Sequence, residues 1–176
     1  MKKATFANGC FWCTEAVFQR LKFVKNIESG FTGGTIKNPP YREVVMGRTG
    51  HTEAIQLDYD AEKIDYETLL HVFFSTHDPT TLNRQGYDVG EQYRSEIFYH
   101  DTSQKEIAEV VIKKLNVEVF DGKIVTKLSP AKPFYVAELE HQDFYDNNTE
   151  FRYCQIIIDP KLKKLKANFQ HLLREA

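Results

Sequence analysis

Two cysteines stand close together near the start of the chain, in the stretch ANGCFWCTEAVF at residues 7–18. Cys10 follows a predicted strand and a glycine, and it opens a predicted helix. The helix dipole and free backbone N–H groups stabilise a thiolate there, so we expect the pKa of Cys10 to fall below its ordinary value of about 8.5. Cys10 is therefore predicted to be a nucleophile. Cys13 lies one helical turn further along, within reach of a disulfide with Cys10.

Other interpretations of the two cysteines stay open. They could be two small buried residues, or the redox pair of a thioredoxin-like disulfide oxidoreductase. They could also supply half of the zinc site of a binding module. No second C-x-x-C follows, however, and only Cys154 and scattered histidines could complete the ligand set. We therefore predict no metal.

Phe11 and Trp12 separate the redox interpretations. Thioredoxin-like motifs usually carry small or polar residues between the cysteines, whereas these two rings would form an aromatic wall. A thiol beside such a wall suits a substrate with an apolar group to hold, such as a methyl thioether. One ring could belong to the core, but consecutive helix residues point in different directions, so two core rings are harder to explain.

Glu53 begins an alternating stretch, in phase with Ile55, Leu57 and Tyr59. That phase predicts that its carboxyl points to the apolar face of a strand, unless the strand starts one residue later. Burial raises the pKa of a carboxyl above its usual ~4.3, and a protonated carboxyl in an apolar pocket is a general acid. His51, nearby, could be a base or a loop residue.

Elements of alternating type must position these residues. The predicted strands and helices lie, in order, at 3–7 (strand), 11–21 (helix), 23–31 and 51–60 (strands), 65–77 (helix) and 95–100 (strand). The order β-α-β-β-α-β predicts a two-layer α/β (α+β) fold with a ferredoxin-like core. A further helix at 102–116 and a strand at 124–128 follow.

The predicted core covers about residues 1–128, and a long irregular extension covers about 129–176, ending in an amphipathic helix. Two long predicted loops, 32–50 and 78–94, exceed what a compact domain usually has without a functional reason. We expect the active site to be built from these loops and the turn at Cys10. The whole chain, 1–176, is predicted to be a single catalytic domain.

The totals agree with a small soluble enzyme. A length of 176 residues favours one domain. A net charge of -2 gives no reason to expect nucleic acid or an anionic membrane as a partner. No apolar run approaches the ~20 residues that span a bilayer, and the N-terminus lacks the apolar region of a signal peptide. We expect a cytoplasmic monomer.

The sequence resembles the peptide methionine sulfoxide reductase A (MsrA) family along nearly its whole length. The segment GCFWCTEAVF (9–18) resembles the family's G-C-F-W-x-x-E signature. The other similar segments are GFTGG (30–34), YREVVMGRTGHTEAIQLDYD (41–60), HDPTTLNRQGYDVGEQYRS (77–95), FYVAELEHQDFY (134–145) and YCQIIIDPKLKKLK (153–166). Such long motifs in the same order are poorly explained by chance.

The resemblance implies reduction of the S epimer of methionine sulfoxide, free or in proteins. It implies roles for Cys10 as the catalytic thiol and Glu53 as the acid that protonates the sulfoxide oxygen. The remaining pocket residues it implies are Phe11 and Trp12, which hold the substrate methyl, and Tyr41, Asp88 and Tyr93, which complete the pocket. It implies that a sulfenic acid forms on the catalytic thiol. It implies no cofactor, and thioredoxin as the external dithiol reductant.

Two thiols are candidates for resolving the sulfenic acid. Cys154 matches the usual recycling cysteine of the family's mobile tail, whereas position 13 varies in the family and is a cysteine here. We favour Cys154 as the main resolving thiol, with Cys13 as an alternative or a relay.

Overall fold

A computed structural model of the chain describes residues 1–175. The strands are β1 (Lys2–Asn8), β2 (Val24–Thr32), β3 (Thr52–Tyr59), β4 (Arg84–Gln85), β5 (Asp88–Val89), β6 (Ser95–Tyr99), β7 (Lys127–Pro130) and β8 (Tyr135–Val136). The α-helices are α1 (Phe11–Gln19), α2 (Tyr41–Val45), α3 (Tyr66–Ser75), α4 (Thr102–Glu118), α5 (Phe144–Asn147) and α6 (Asp159–Phe169). Turns of 3-10 helix lie at Glu91–Tyr93, Leu139–His141 and Gln170–Leu172, and a π-helical turn at Cys154–Ile158.

The main sheet has the strand order β7-β6-β1-β3-β2-β8. Strand β1 lies antiparallel between β3 and β6, and β2 is antiparallel to β3. The four strands β6-β1-β3-β2, connected through α1 and α3, are the ferredoxin-like core, so this prediction is confirmed. Helix α4 then leads into β7, which pairs parallel with β6 at the sheet edge.

Helices α1 and α3 form the second layer because their apolar faces cover one side of the sheet. Phe6 of β1 stacks on Phe18 of α1 with ring centroids 5.2 Å apart, and it meets Phe73 of α3 at 5.4 Å. Asp65 caps α3 as predicted, since its side chain accepts a hydrogen bond from the Thr68 N–H at 2.8 Å. The aromatic core therefore fixes both helices against the strand that leads to Cys10.

The extension after residue 129 contains more regular structure than its composition suggested. Strand β8 pairs antiparallel with β2 and extends the main sheet. The π-helical turn runs directly into α6, which packs against α1 and α3 and buries Leu165. The tail is thus folded back onto the helical layer, with Cys154 at the start of the π-helical turn.

The two long loops also contain short elements. Loop 32–50 carries α2, which begins at Tyr41, and loop 78–94 carries the β4–β5 hairpin, which contains Asp88. A 3-10 turn then ends at Tyr93. Each short element therefore holds one of the predicted pocket residues. Within residues 1–175, no helix is both long enough and apolar enough to cross a membrane.

Candidate active site

Cys10 lies at the junction between β1 and α1. Gly9 makes this turn with φ of 111°, and a Cβ at Gly9 would lie 2.9 Å from the side chain of Gln85. Glycine is therefore required here both for backbone conformation and for space. The turn leaves Cys10 as the N-cap residue of α1, 9% exposed at the wall of a cavity.

The expectation of a lowered pKa for Cys10 is wrong for this arrangement. Burial raises the pKa of Cys10 well above its ordinary value, and the neighbouring Cys13 and Glu53 raise it further. The backbone N–H of Trp12 does lower the pKa of Cys10, as the helix N-terminus argument predicts, but this effect is smaller than burial. The first N–H of the helix, that of Phe11, is directed to Glu53 instead.

Glu53 is 1% exposed, as the strand alternation predicted. Its Oε1 accepts a hydrogen bond from the Phe11 N–H at 3.0 Å, so the carboxyl lies at the N-terminus of α1 beside Cys10. Burial raises the pKa of Glu53 to about 8 in spite of this bond. The carboxyl is therefore mostly protonated at neutral pH and can donate a proton next to the thiol.

The two aromatic residues of the motif have different surroundings. Phe11 is 0% exposed and packs in the core against Phe31 and Tyr41, with ring centroids 5.6 and 6.2 Å away. Trp12 is partly buried, and the ring of Phe144 stacks on it at 3.7 Å with an interplanar angle of 6°. Trp12 is thus accessible to a ligand only at the expense of contacts with the tail, while Phe11 supports the site from within the core.

Tyr41 and Tyr93 share the site with Glu53. Burial raises the pKa of both phenols, and the negative charge of Glu53 raises them further. Both hydroxyls consequently stay protonated and can donate hydrogen bonds. Burial also raises the pKa of Asp88, the predicted pocket residue on the hairpin. The structure therefore brings all the predicted pocket residues to one end of α1.

Cys10, Cys13 and Cys154 lie in one buried apolar cluster, and none of the three forms a disulfide in the structure. The interaction with the Cys10 thiol lowers the pKa of Cys13 to about 7, and the nearby cation of Lys161 lowers it as well. Burial raises the pKa of Cys154, and the charge of Cys13 adds to this effect. Cys13 is therefore the thiol of the three that ionises most readily.

A cavity of about 600 Å³ opens beside these thiols. Its lining includes Cys10 and Cys13 on one side, Asp88 of the hairpin, and Tyr153 and Lys161 of the tail. This volume is in the range of small-molecule sites. Within residues 1–175, the structure contains no cluster of three or more histidine, cysteine or carboxylate side chains arranged to hold a metal ion.

Comparison with known proteins identifies the family of the chain. A family model described as Peptide methionine sulfoxide reductase matches residues 2–173 of the chain. The chain belongs to the peptide methionine sulfoxide reductase family. The resemblance drawn from the motifs is therefore confirmed. Members of this MsrA family are oxidoreductases.

A curated relative matches nearly the whole chain, and solved structures match more than four fifths of it. The chain is 51% identical to peptide methionine sulfoxide reductase MsrA of Chromobacterium violaceum over 175 residues, 99% of each protein. The structure is similar to reduced Mxr1 of Saccharomyces cerevisiae, with a TM-score of 0.77 and 34% identity over 85% of this chain and 86% of that one. It is also similar to Mxr1 in complex with Trx2, with a TM-score of 0.54 and 27% identity over 81% of this chain and 84% of that one.

His51 is a loop residue in this MsrA-family chain. Its Nδ1 accepts a hydrogen bond from the Gly34 N–H at 2.9 Å, and its Nε2 donates to the Ile36 carbonyl at 2.6 Å. Both ring nitrogens are therefore engaged in holding the loop that carries Tyr41. Of the two roles considered for His51, the structure supports the loop residue, because a base needs a free ring nitrogen.

Several tail residues that surround the MsrA-family motif were not predicted from the sequence. His141 accepts a hydrogen bond from the Trp12 indole N–H at 3.2 Å, and Tyr153 contacts both Cys13 and Asp88. Phe144 and Lys161 complete this contribution from the tail. The available signal was the presence of large aromatic residues in an otherwise polar segment, 141–154.

Proposed function

We propose that this enzyme reduces the S epimer of methionine sulfoxide, free and in proteins, with Cys10 as nucleophile and Glu53 as general acid. The observation that carries the proposal is the buried Glu53 carboxyl, protonated near neutral pH, at the N-terminus of the helix that Cys10 caps. A sulfoxide oxygen is a poor leaving group until it is protonated, and this geometry supplies the proton beside the thiol.

The Cys10 thiol is activated by the substrate in this proposal. Glu53 protonates the sulfoxide oxygen, with Tyr41 and Tyr93 as additional hydroxyl donors. The positive charge that develops on the sulfoxide then lowers the pKa of the adjacent Cys10. The Cys10 thiol gives its proton to the Glu53 carboxylate, and the thiolate attacks the sulfoxide sulfur to form a sulfur–sulfur bond. The hydroxyl group then moves from the substrate sulfur to the Cys10 sulfur as the sulfur–sulfur bond breaks, which releases methionine and leaves a sulfenic acid on Cys10. The substrate sulfur gains the two electrons that the Cys10 sulfur loses.

Binding of one epimer follows from three different neighbours of the sulfoxide. The oxygen faces Glu53, the methyl group faces Trp12, and the amino-acid side faces Asp88. Three unlike contacts around one tetrahedral sulfur discriminate between mirror-image arrangements. The choice of the S epimer is taken from the family resemblance.

Cys13 is proposed to resolve the sulfenic acid first. It is the thiol with the lowest pKa of the three, and it lies in the same buried cluster as Cys10 and Cys154. The Cys13 thiolate displaces hydroxide, released as water, to form the Cys10–Cys13 disulfide. Cys154 then attacks the Cys13 sulfur, which releases Cys10 and leaves a Cys13–Cys154 disulfide. This order retains Cys154 as the final recycling thiol and gives Cys13 the relay role.

We propose thioredoxin as the external reductant, supported by the solved complex of the yeast relative Mxr1 with Trx2. Two electrons from the thioredoxin dithiol reduce the Cys13–Cys154 disulfide and restore both thiols.

The test uses the variants Cys10→Ser and Glu53→Gln in a coupled assay with thioredoxin and a methionine sulfoxide peptide. Loss of one positioned acid or nucleophile costs at least ~100-fold in rate, so we expect no detectable turnover for Cys10→Ser and a ~100-fold or greater loss for Glu53→Gln. Full turnover by Cys10→Ser would refute the proposal. Efficient reduction of insulin disulfides without sulfoxide reduction would instead favour a thioredoxin-like enzyme.

A further inference from the structure

Tyr153 immediately precedes the recycling residue Cys154, and its side chain reaches into the cavity beside Cys10. The phenol hydroxyl donates a hydrogen bond to Asp88 Oδ2 at 3.1 Å and lies 3.4 Å from Cys13 Sγ. Its ring meets Trp12 edge-on, with centroids 5.9 Å apart and an interplanar angle of 81°. One tail side chain therefore contacts two predicted substrate-binding residues and one resolving thiol.

In the proposed binding mode, the substrate uses the surfaces that Tyr153 covers. There the methyl group of the sulfoxide lies against Trp12, and the amino-acid part lies against Asp88. Tyr153 occupies both at once, with an aromatic ring on Trp12 and a hydroxyl on Asp88. Substrate and Tyr153 cannot use these contacts together, because two groups cannot fill the same space.

We propose that Tyr153 is a positioning residue of the recycling step, which leaves Trp12 and Asp88 when methionine sulfoxide binds and returns when methionine departs, placing Cys154 beside Cys13. This inference rests on the proposed function. Because Tyr153 and the substrate exclude each other, the tail docks only after the sulfoxide has reacted and methionine has left.

The docked state has a defined chemical basis. Burial raises the pKa of the Tyr153 phenol, so the hydroxyl stays protonated and acts as a donor to Asp88. Hydrogen bonds to a carboxylate are among the stronger ones in proteins. Cys154 is 0% exposed in this state and lies in the cluster with Cys13. When Cys10 and Cys13 are joined, the Cys154 thiolate attacks Cys13, the Cys10–Cys13 bond breaks, and Cys10 leaves as the thiolate.

The test is Tyr153→Phe, which keeps the ring and removes the hydroxyl. The matched control is Tyr145→Phe, which removes another tail hydroxyl that is bonded to a carboxylate, that of Asp159. The probe is a short peptide that contains methionine-S-sulfoxide. In rapid-quench single turnovers, methionine and the Cys13–Cys154 disulfide are measured separately, the disulfide by peptide mapping in a mass spectrometer.

We expect methionine formation by Tyr153→Phe to stay within about twofold of wild type. Disulfide transfer to Cys154 should slow by roughly tenfold or more, because the variant loses one hydrogen bond to a charged group. Binding is measured from the emission of Trp12, the only tryptophan of the chain, in a Cys10→Ser background. Because the docked tail competes less well with substrate in Tyr153→Phe, this variant should bind the peptide at least threefold more tightly than wild type. Tyr145→Phe should change neither the affinity nor the rate of disulfide transfer.

A general loosening of the tail would also tighten binding and slow recycling, but Tyr145→Phe would then show the same changes. Their restriction to Tyr153→Phe assigns them to the Tyr153 hydroxyl. Unchanged affinity with wild-type disulfide transfer would overturn the inference, and so would equal effects of Tyr145→Phe. Failure of the proposed function is distinguishable, because in that case wild-type enzyme itself would form no methionine.

Discussion

Glu53 is the residue whose chemistry is changed most by its surroundings. Its position in the strand alternation already predicted burial, and the structure adds the hydrogen bond from Phe11 and a pKa of about 8. A carboxyl with a pKa raised this far is an acid in the working pH range rather than a fixed negative charge. The alternation was informative because strand side chains have a strict period of two.

The protonation of Glu53 predicts a pH dependence of the chemical step. Methionine formation in single turnovers should fall as pH rises through about 8, because Glu53 loses the proton that the sulfoxide needs. In Glu53→Gln the residual rate should lack this falling limb. The exposed Glu62→Gln serves as control and should keep the limb. A wild-type rate that stays constant from pH 7 to pH 9.5, above the pKa of about 8, would contradict the role of Glu53 as acid.

The raised pKa of Glu53 also makes the free energy of unfolding depend on pH. The folded pKa of about 8 exceeds the unfolded value of ~4.3, so the native state loses stability as pH rises between these values. Glu53→Gln should therefore be more stable than wild type at pH 8, by on the order of 1 kcal/mol or more. Urea unfolding at pH 5 and pH 8 measures this, and the gain should shrink at pH 5. An inactive variant that is also less stable at pH 8 would argue against a buried, ionisation-sensitive carboxyl.

Cys13 should be the most reactive thiol of the resting enzyme. Its pKa of about 7 predicts that iodoacetamide labels Cys13 with a midpoint near neutral pH, ahead of Cys10 and Cys154. Lys161→Met should move the midpoint upward because the cation of Lys161 lowers the pKa of Cys13. The exposed Lys164→Met is the control and should leave it unchanged. Preferential labelling of Cys10 at pH 7 would show that the two pKa values are assigned in the wrong order.

Cys10 shows the limit of reasoning from a local motif. The helix N-terminus does lower the pKa of its thiol through the Trp12 N–H, as the sequence suggested. Burial outweighs this effect, and burial depends on the tail, which is distant in sequence and packs over the same cluster. A helix dipole can be predicted from a dozen residues, whereas desolvation requires the folded chain.

At the scale of elements, the site depends on how the tail is attached to the sheet. Gln142 makes the attachment: its Oε1 accepts from the Ser29 N–H at 2.8 Å, and its Nε2 donates to the carbonyls of Ser29 and Ala137 at 2.9 and 3.0 Å. Two of these bonds join the segment before α5 to Ser29 of strand β2, and the third goes to Ala137, directly after β8. They hold His141 and Phe144 against Trp12.

Removal of this attachment should loosen the tail. At about 1 kcal/mol per hydrogen bond, Gln142→Ala should lose roughly 2–3 kcal/mol of unfolding free energy and, near neutral pH, several degrees in Tm. It should also slow disulfide formation with Cys154 more than methionine formation. Calorimetry and single-turnover mapping measure the two effects. Gln155→Ala, an exposed position on the same tail, is the control; equal stability of the two variants would contradict the role of Gln142.

The predicted elements were accurate where hydrophobic periodicity was long. The helix predicted at 102–116 is α4, at Thr102–Glu118, and the strand predicted at 51–60 is β3, at Thr52–Tyr59. The short elements were not predicted, because Tyr135–Val136 of β8 carries too few residues for a pattern. The π-helical turn at Cys154–Ile158 contains three consecutive isoleucines, which favour a strand locally, but continuity with α6 determines its conformation.

At the scale of the whole molecule, the ferredoxin-like core carries the candidate active site around Cys10. The ferredoxin-like order of the strands could be predicted from the succession of elements, and the motif residues from their types and spacing. The contacts of Tyr153 with Asp88 and Cys13 could not, because they join residues 65 and 140 positions apart. Local patterns therefore identified the proposed nucleophile and the proposed acid, and the fold was needed to see which residues cover them.

A single turnover of the Cys13→Ser/Cys154→Ser double variant, in which Cys10 is the remaining thiol, separates the chemistry of Cys10 from its recycling. Each separated epimer of a methionine sulfoxide peptide is added in excess without reductant, and methionine and a dimedone-trapped sulfenic acid on Cys10 are counted by mass spectrometry. We expect one methionine and one Cys10 sulfenic acid per chain from the S epimer, and neither from the R epimer. Equal yields from both epimers, or methionine formed without oxidation of Cys10, would show that Cys10 is not the stereospecific nucleophile.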